Sequence, residues 1–181
     1  MAIAIKPMFG LGLIVCTMCP VAQADDCIRS TPTPMFPAHR DAIQAHRFAL
    51  ESDHEALERF QLGPAMQVKV EHGGCEYFVT KLRFESPKLF AKNYTDAMAY
   101  ETAASLLKKL KDARPELPFD LDLASARIAK EARRKRVPGL NQEFVVDGDG
   151  VPPLQATVVI DAAGRGRTSG YVEVTLFRGP L

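Results

Sequence analysis

Four histidines, His39, His46, His54 and His72, are the side chains of this sequence best suited to proton transfer or metal binding. Their spacing matches no ligand motif such as His-Glu-x-x-His. His46 falls on the apolar side of an alternating stretch, the place of a hydrogen-bonded core histidine. His54 falls in the first turn of an expected helix and His72 in a tight turn, both facing water. A hydrolase built on His46 or His54 with an acidic neighbour is the one enzymatic alternative, and it requires a nucleophile or carboxylate in the same cleft. Asp147-Gly148-Asp149-Gly150 begins like a calcium loop but lacks the third acidic position and the distal glutamate, so it reads as an acidic turn. There is no Gly-x-Ser-x-Gly, and Ser169-Gly170 stands alone in a turn. Gly164-Arg165-Gly166 joins two strands and opens no helix, so it offers no helix N-terminus to a phosphate. The expectation is no catalytic residue, no metal and no cofactor.

Cysteine chemistry depends on compartment. An apolar run from Met8 to Val21 follows Lys6 and ends in Ala22-Gln23-Ala24, the pattern of a cleaved secretory signal. The run is too short to span a bilayer and contains Pro20, and bulky Val15 before Cys16 argues against a lipoprotein. Residues 1–24 are therefore expected to leave by cleavage between Ala24 and Asp25, placing a mature chain of 157 residues (181 − 24) in the periplasm or outside the cell. Cys16 and Cys19 leave with the signal. Cys27 and Cys75 remain, and two thiols in an oxidising compartment are expected to form one disulfide.

Charge patterning gives the binding candidates. Lys and Arg number 23 and Asp and Glu 22; loss of Lys6 leaves 22 of each, a neutral mature chain. Neutrality and export argue against nucleic acid. Against this background Arg127, Lys130, Arg133, Arg134, Lys135 and Arg136 crowd the end of an expected helix, and Arg165 and Arg167 occupy a hairpin turn. Cations at a helix C-terminus complement its dipole; the functional alternative is a patch, centred on Arg133, Arg134, Arg136, Arg165 and Arg167, for an acidic protein surface or an anionic envelope polymer. The chain has no Trp, so stacking or anchoring falls to Tyr77, Tyr94, Tyr100 or Tyr171.

The elements that must position these residues read as a single α+β domain over 25–181, with an extended proline-containing arm over 25–38. A short strand near 46–51 and a short helix over 53–62, with Ser52-Asp53-His54-Glu55 as its capping box and Gly63-Pro64 as its stop, come first. An antiparallel hairpin spans about 65–85, turning at His72-Gly73-Gly74. Helices follow near 95–113, capped by Thr95, and 122–136, with Leu123, Ala126, Ala129 and Ala132 as its apolar stripe. A strand near 144–146 and a second hairpin over about 153–178, turning between Ala163 and Gly170, complete the sheet. The two hairpins also align: Phe48-Ala49-Leu50-Glu51 with Phe119-Asp120-Leu121-Asp122, Pro64 through Val68 with Pro152 through Ala156, Tyr77 with Tyr171 and Leu82 with Leu176. A duplication would place two strand–helix–hairpin units in one sheet.

The functional expectation is an exported, non-enzymatic domain that binds a protein partner in the cell envelope, one version being an inhibitor or immunity-type protein acting on an envelope enzyme. The alternative is a small-ligand site between the sheet and the helix at 95–113, a cavity of several hundred Å³.

Overall fold

The computed structural model of the chain describes residues 30–36, 42–75, 77–90, 93–113, 115–146 and 155–179. The expected signal, its cleavage point at Ala24 and Asp25, Cys27, His39 and the turn at 147–150 lie outside them.

Seven strands form one antiparallel sheet: β1 (Ile43–Leu50), β2 (Ala56–Leu62), β3 (Met66–Gly73), β4 (Phe78–Ser86), β5 (Glu143–Val145), β6 (Gln155–Arg165) and β7 (Gly170–Gly179), in the order β1-β2-β3-β4-β7-β6-β5. Helices α1 (Asp96–Asp112) and α2 (Leu121–Ala132) connect β4 to β5 and pack against each other, with α1 also against β6 and β7. The architecture is α+β, as the mixture of alternating and 3.6-period segments requires.

Two helix assignments change. Residues 53–62 form no helix: 52–54 make a bend and 56–62 a strand. Ala56, Glu58 and Phe60 are buried on one face while Arg59 is exposed, a period of two that the polar Glu58 hides from a hydrophobicity reading. Gly63, read as a helix stop, has φ +65° and instead turns β2 into β3. The second helix ends at Ala132, four residues short of the expected 136, and Arg133 caps it. It also starts at Leu121, behind Asp120, whose carboxylate accepts from the amides of Asp122 and Leu123. Its buried stripe is Leu121, Ala124 and Ile128, and Leu123 is 47% exposed. In α1 the Thr95 side chain caps the amide of Met98, and Ala99, Ala103, Leu106, Leu107 and Leu110 are buried.

The arm is held by its own contacts with the core. Met35 and Phe36 are buried in the core, the Met35 carbonyl accepts from Glu116 N, and the Phe36 ring packs on Phe60 at 4.6 Å. Residues 30–36 are therefore anchored by their own side chains and backbone.

The register also revises the repeat. Gln67 to Gln155 is a step of 88 residues, and Leu82 to Leu176 a step of 94. Gln67 faces Glu85 across β3 and β4, and Gln155 faces Gly179 across β6 and β7, the same two steps. One pair outward, Glu58 faces Val70 and Phe144 faces Val158, a step of 86 from β2 to β5. The meanders β2-β3-β4 and β5-β6-β7 are thus related by a local twofold axis normal to the sheet, passing through the Lys81–Thr175 pair of β4 and β7. Strand β1 and the helices stand outside this symmetry, so the repeating unit is a three-stranded meander rather than strand–helix–hairpin.

Candidate functional site

Alternation gives the sheet two faces. The inner face meets the helices and carries Phe60, Val68, Phe84 and Val172, then Val70, Leu82, Val174 and Ile160, all buried. Glu58 lies in this apolar layer and is fully buried. A bulge at Ala45, φ 52°, lies between Gln44 and Arg47 and re-aims the following residue. His46 Nε2 then reaches 2.7 Å from Glu58 Oε2, and His72 Nε2 lies 3.3 Å from Oε1. Met35 N donates to Oε1 at 2.7 Å and Phe36 N to Oε2 at 3.3 Å. Burial pushes the Glu58 pKa up, but the hydrogen bonds of His72, His46 and the Met35 amide outweigh it and hold the group below the usual range.

This cluster places a carboxylate beside His46, as the hydrolase alternative requires, but in a buried position. Its oxygens take three hydrogen bonds and the ion-pair contact of His72, whose side chain is fully buried, and no hydroxyl or thiol among the described residues bonds either imidazole. The cluster ties the arm to three places on the sheet. His72, expected in a solvated turn, is an inner-face residue of β3, and His54 lies in the β1–β2 bend away from Glu58. Among the described residues no group of three or more His, Cys, Asp or Glu is placed to hold a metal ion.

No described helix packs on the outer face. Register places Arg47 opposite Arg59, Arg59 opposite Lys69, Lys69 opposite Arg83, and Arg83 opposite Glu173. Four cations therefore stand in one row across β1, β2, β3 and β4. Directly opposed like charges are destabilising, and three consecutive pairs do it here. Compensation is partial: Lys69 pairs with Glu71 on its own strand, and Arg83 bonds Glu173 at 2.6 Å, approaches Glu85 at 3.5 Å and stacks 4.2 Å over Tyr171. No described acidic group lies within ion-pair distance of Arg47 or Arg59, and both are exposed. Next to this row a groove of about 730 Å³ is lined by Leu57, Val79 and Thr175 together with Arg59, Lys69 and Lys81, and rimmed by Glu51, Glu55 and Glu71. A further row of Val79, Phe177, Thr157 and Val145 runs along the other side.

The basic residues singled out from sequence divide by what they touch. Arg165 is the last residue of β6 and donates to the carbonyls of Leu89 and Phe90, which pins the β6–β7 turn to the loop after β4. There Gly170 has no room for a side chain, since a Cβ would stand 2.0 Å from Leu89 O. Arg134 bonds the buried Glu131 at 2.6 Å, a helix-end role. Arg133, Arg136 and Arg167 are exposed. No hydrogen bond or ion pair among the described residues joins the 133–136 run to the 165–167 turn. The tyrosines divide likewise: Tyr94 and Tyr100 bond the carbonyls of Ala163 and Gly139, whereas Tyr171 faces outward under Arg83 and Tyr77 is 48% exposed.

The row on the outer face was missed because two of its four strands were misread or shortened. A strand reading of 56–62, turned back at Gly63, places Arg59 opposite Lys69, and the β3–β4 hairpin places Lys69 opposite Arg83. An open cleft of about 500 Å³ lies between the β2–β3 turn, the end of β4 and α1, lined by Leu62, Met66, Leu89 and Leu106, with Ser86 and Lys109 among its polar groups.

No family model matches the chain, and neither the curated proteins nor the solved structures contain a match to it.

Proposed function

We propose that the chain is an exported, non-enzymatic binding domain of the cell envelope, periplasmic or secreted, that holds an acidic partner on the outer face of its sheet. The row Arg47–Arg59–Lys69–Arg83 carries this reading: like charges opposed in a sheet lower stability, and a local rule broken without structural gain marks a functional surface. The face supplies what recognition needs, with arginines for bidentate carboxylate contacts and aromatic and apolar neighbours in Tyr171, Val79 and Phe177. No described helix is long and apolar enough to cross a membrane. Binding replaces the earlier candidate set: Arg133, Arg136 and Arg167 become peripheral, and Arg134 and Arg165 hold the fold. The inhibitor or immunity role is the form this reading takes if the acidic partner is an envelope enzyme.

Export and a Cys27–Cys75 bridge belong to the same proposal. The disulfide-bonded state of Cys75 supports the bridge, which would close a loop of 49 residues, counted from Cys27 to Cys75.

The test is retention. The secreted chain is expected to stay with the envelope fraction at low salt and to be released as salt rises. Arg47→Glu with Arg59→Glu is expected to abolish retention while circular dichroism is unchanged. Retention that survives this double charge reversal removes the outer face from the proposal.

A further inference from the structure

We infer that the acidic partner is a linear polysaccharide bearing one carboxylate per sugar, lying across the strands along the row Arg47–Arg59–Lys69–Arg83. The inference rests on the outer-face reading and narrows its ligand.

Spacing is the first argument. Neighbouring strands lie about 4.8 Å apart, so the four cations are set at that interval over about 14 Å. One pyranose ring with its glycosidic link has a comparable length, and successive rings of an extended chain are turned over, so every second uronate presents its carboxylate to the face and comes into step with every second strand, about 9.6 Å. An extended acidic peptide carries its same-side carboxylates about 6.7 Å apart and falls out of step with the row. Peptides also join sheets by pairing with an edge strand, whereas this row crosses the middle of a face.

Width is the second. Apart from Lys81, which stands opposite Glu71 on the neighbouring row, the cations form a row one residue wide. On the neighbouring row stands Glu71, and on the row beyond the cations stands Glu85, with Glu173 at the row's own end. A membrane surface or a nucleic-acid duplex would cover these carboxylates together with the cations. A single polymer chain meets the cations and passes between the acids.

The third is the mixed chemistry of the groove. Arg59, Lys69 and Lys81 share it with Glu51, Glu55 and Glu71 over an apolar floor of Leu57 and Val79. A polyanion with no donors leaves those glutamates facing like charge. An acidic sugar brings carboxylates for the cations, hydroxyl donors for the glutamates and a C–H ring face for Leu57 and Val79. A volume of about 730 Å³ is within the range of small-molecule sites and accommodates a short oligosaccharide.

The experiment is calorimetric titration of the exported chain with a tetragalacturonate, its carboxyl-reduced neutral counterpart, poly-glutamate and vesicles containing anionic phospholipid. Expected are saturable binding of tetragalacturonate, at least tenfold weaker binding of the neutral sugar, at least a tenfold loss in Arg59→Glu, and no loss in Arg133→Glu. Glu55→Gln with Glu71→Gln is expected to weaken tetragalacturonate severalfold without weakening poly-glutamate. Poly-glutamate or vesicles binding as tightly as tetragalacturonate, with sensitivity to Arg59→Glu, would overturn the sugar and leave the outer face standing. Failure of every anion to bind, or binding indifferent to Arg59→Glu in a variant whose amide spectrum shows the native fold, overturns both.

Discussion

Arg59 faces a cation on each side, Arg47 on β1 and Lys69 on β3, so stability and binding pull in opposite directions at one residue. Arg59→Glu turns two repulsive cross-strand pairs into attractive ones and is expected to raise unfolding free energy by about 0.5–2 kcal/mol at low salt, from roughly 0.2–1 kcal/mol per pair. Denaturant midpoints check this, and the gain should shrink with added salt. A destabilised variant would show that the row is structural. Glu58 makes the opposite case, a buried charge held by three hydrogen bonds and the contact of His72. Its folded pKa lies below the ordinary 4.5, so its contribution is complete above pH 4.5 and is lost as pH falls through the lower folded value. Glu58→Gln leaves the amides and imidazoles imperfectly matched and is expected to cost about 2–4 kcal/mol near neutrality. Urea titrations from pH 3 to 7 should show the acid-side slope of the wild type reduced in the variant.

At the scale of elements, what was legible in the sequence followed hydrophobic period, and what was not followed polar residues in apolar places. α1 could be placed because Ala99, Ala103, Leu106, Leu107 and Leu110 keep one face and Thr95 caps it. β2 could not, because its inward Glu58 and outward Leu57 reverse the usual alternation, and Ser52 to Glu55 imitates a capping box. The tie to Glu58 involves residues 22, 23 and 12 positions away, distances at which single-sequence patterns carry no signal. The arm shows the energetic weight of such contacts. Phe36 is 1% exposed, and Phe36→Ala is expected to cost about 3–5 kcal/mol, read as a lowered denaturant midpoint. The β6–β7 turn offers a local comparison: Gly170→Ala drives a Cβ onto Leu89 O and should loosen the 89–90 loop. Faster amide exchange at 165–170, with α1 protection retained, is the expected readout.

For the whole molecule, compartment decides which forces operate. If residues 1–24 are removed, the isolated mature protein should begin at Asp25 by N-terminal sequencing and show no free thiol. Reduction is then expected to lower stability by about 4 kcal/mol in the chain-entropy account of a loop of this size, against the reversible denaturation of the oxidised protein. Free thiol in the native secreted chain would remove the bridge from the proposal. Cleavage would leave a neutral mature chain with no overall field to steer a partner, so the proposed attraction must be local, at the outer row.

The local twofold carries a last consequence. Applying its steps to Arg59, Lys69 and Arg83 lands on Val145, Thr157 and Phe177, the uncharged row at the far side of the same face. Had both meanders kept their cations, the face would offer two equivalent tracks running in opposite senses, and a polymer could dock either way round. With one track charged and its mate uncharged, the two directions along a bound chain are no longer equivalent. On the proposed reading, a reducing end and a non-reducing end would meet different surroundings, and the face would read the polarity of the polymer it holds.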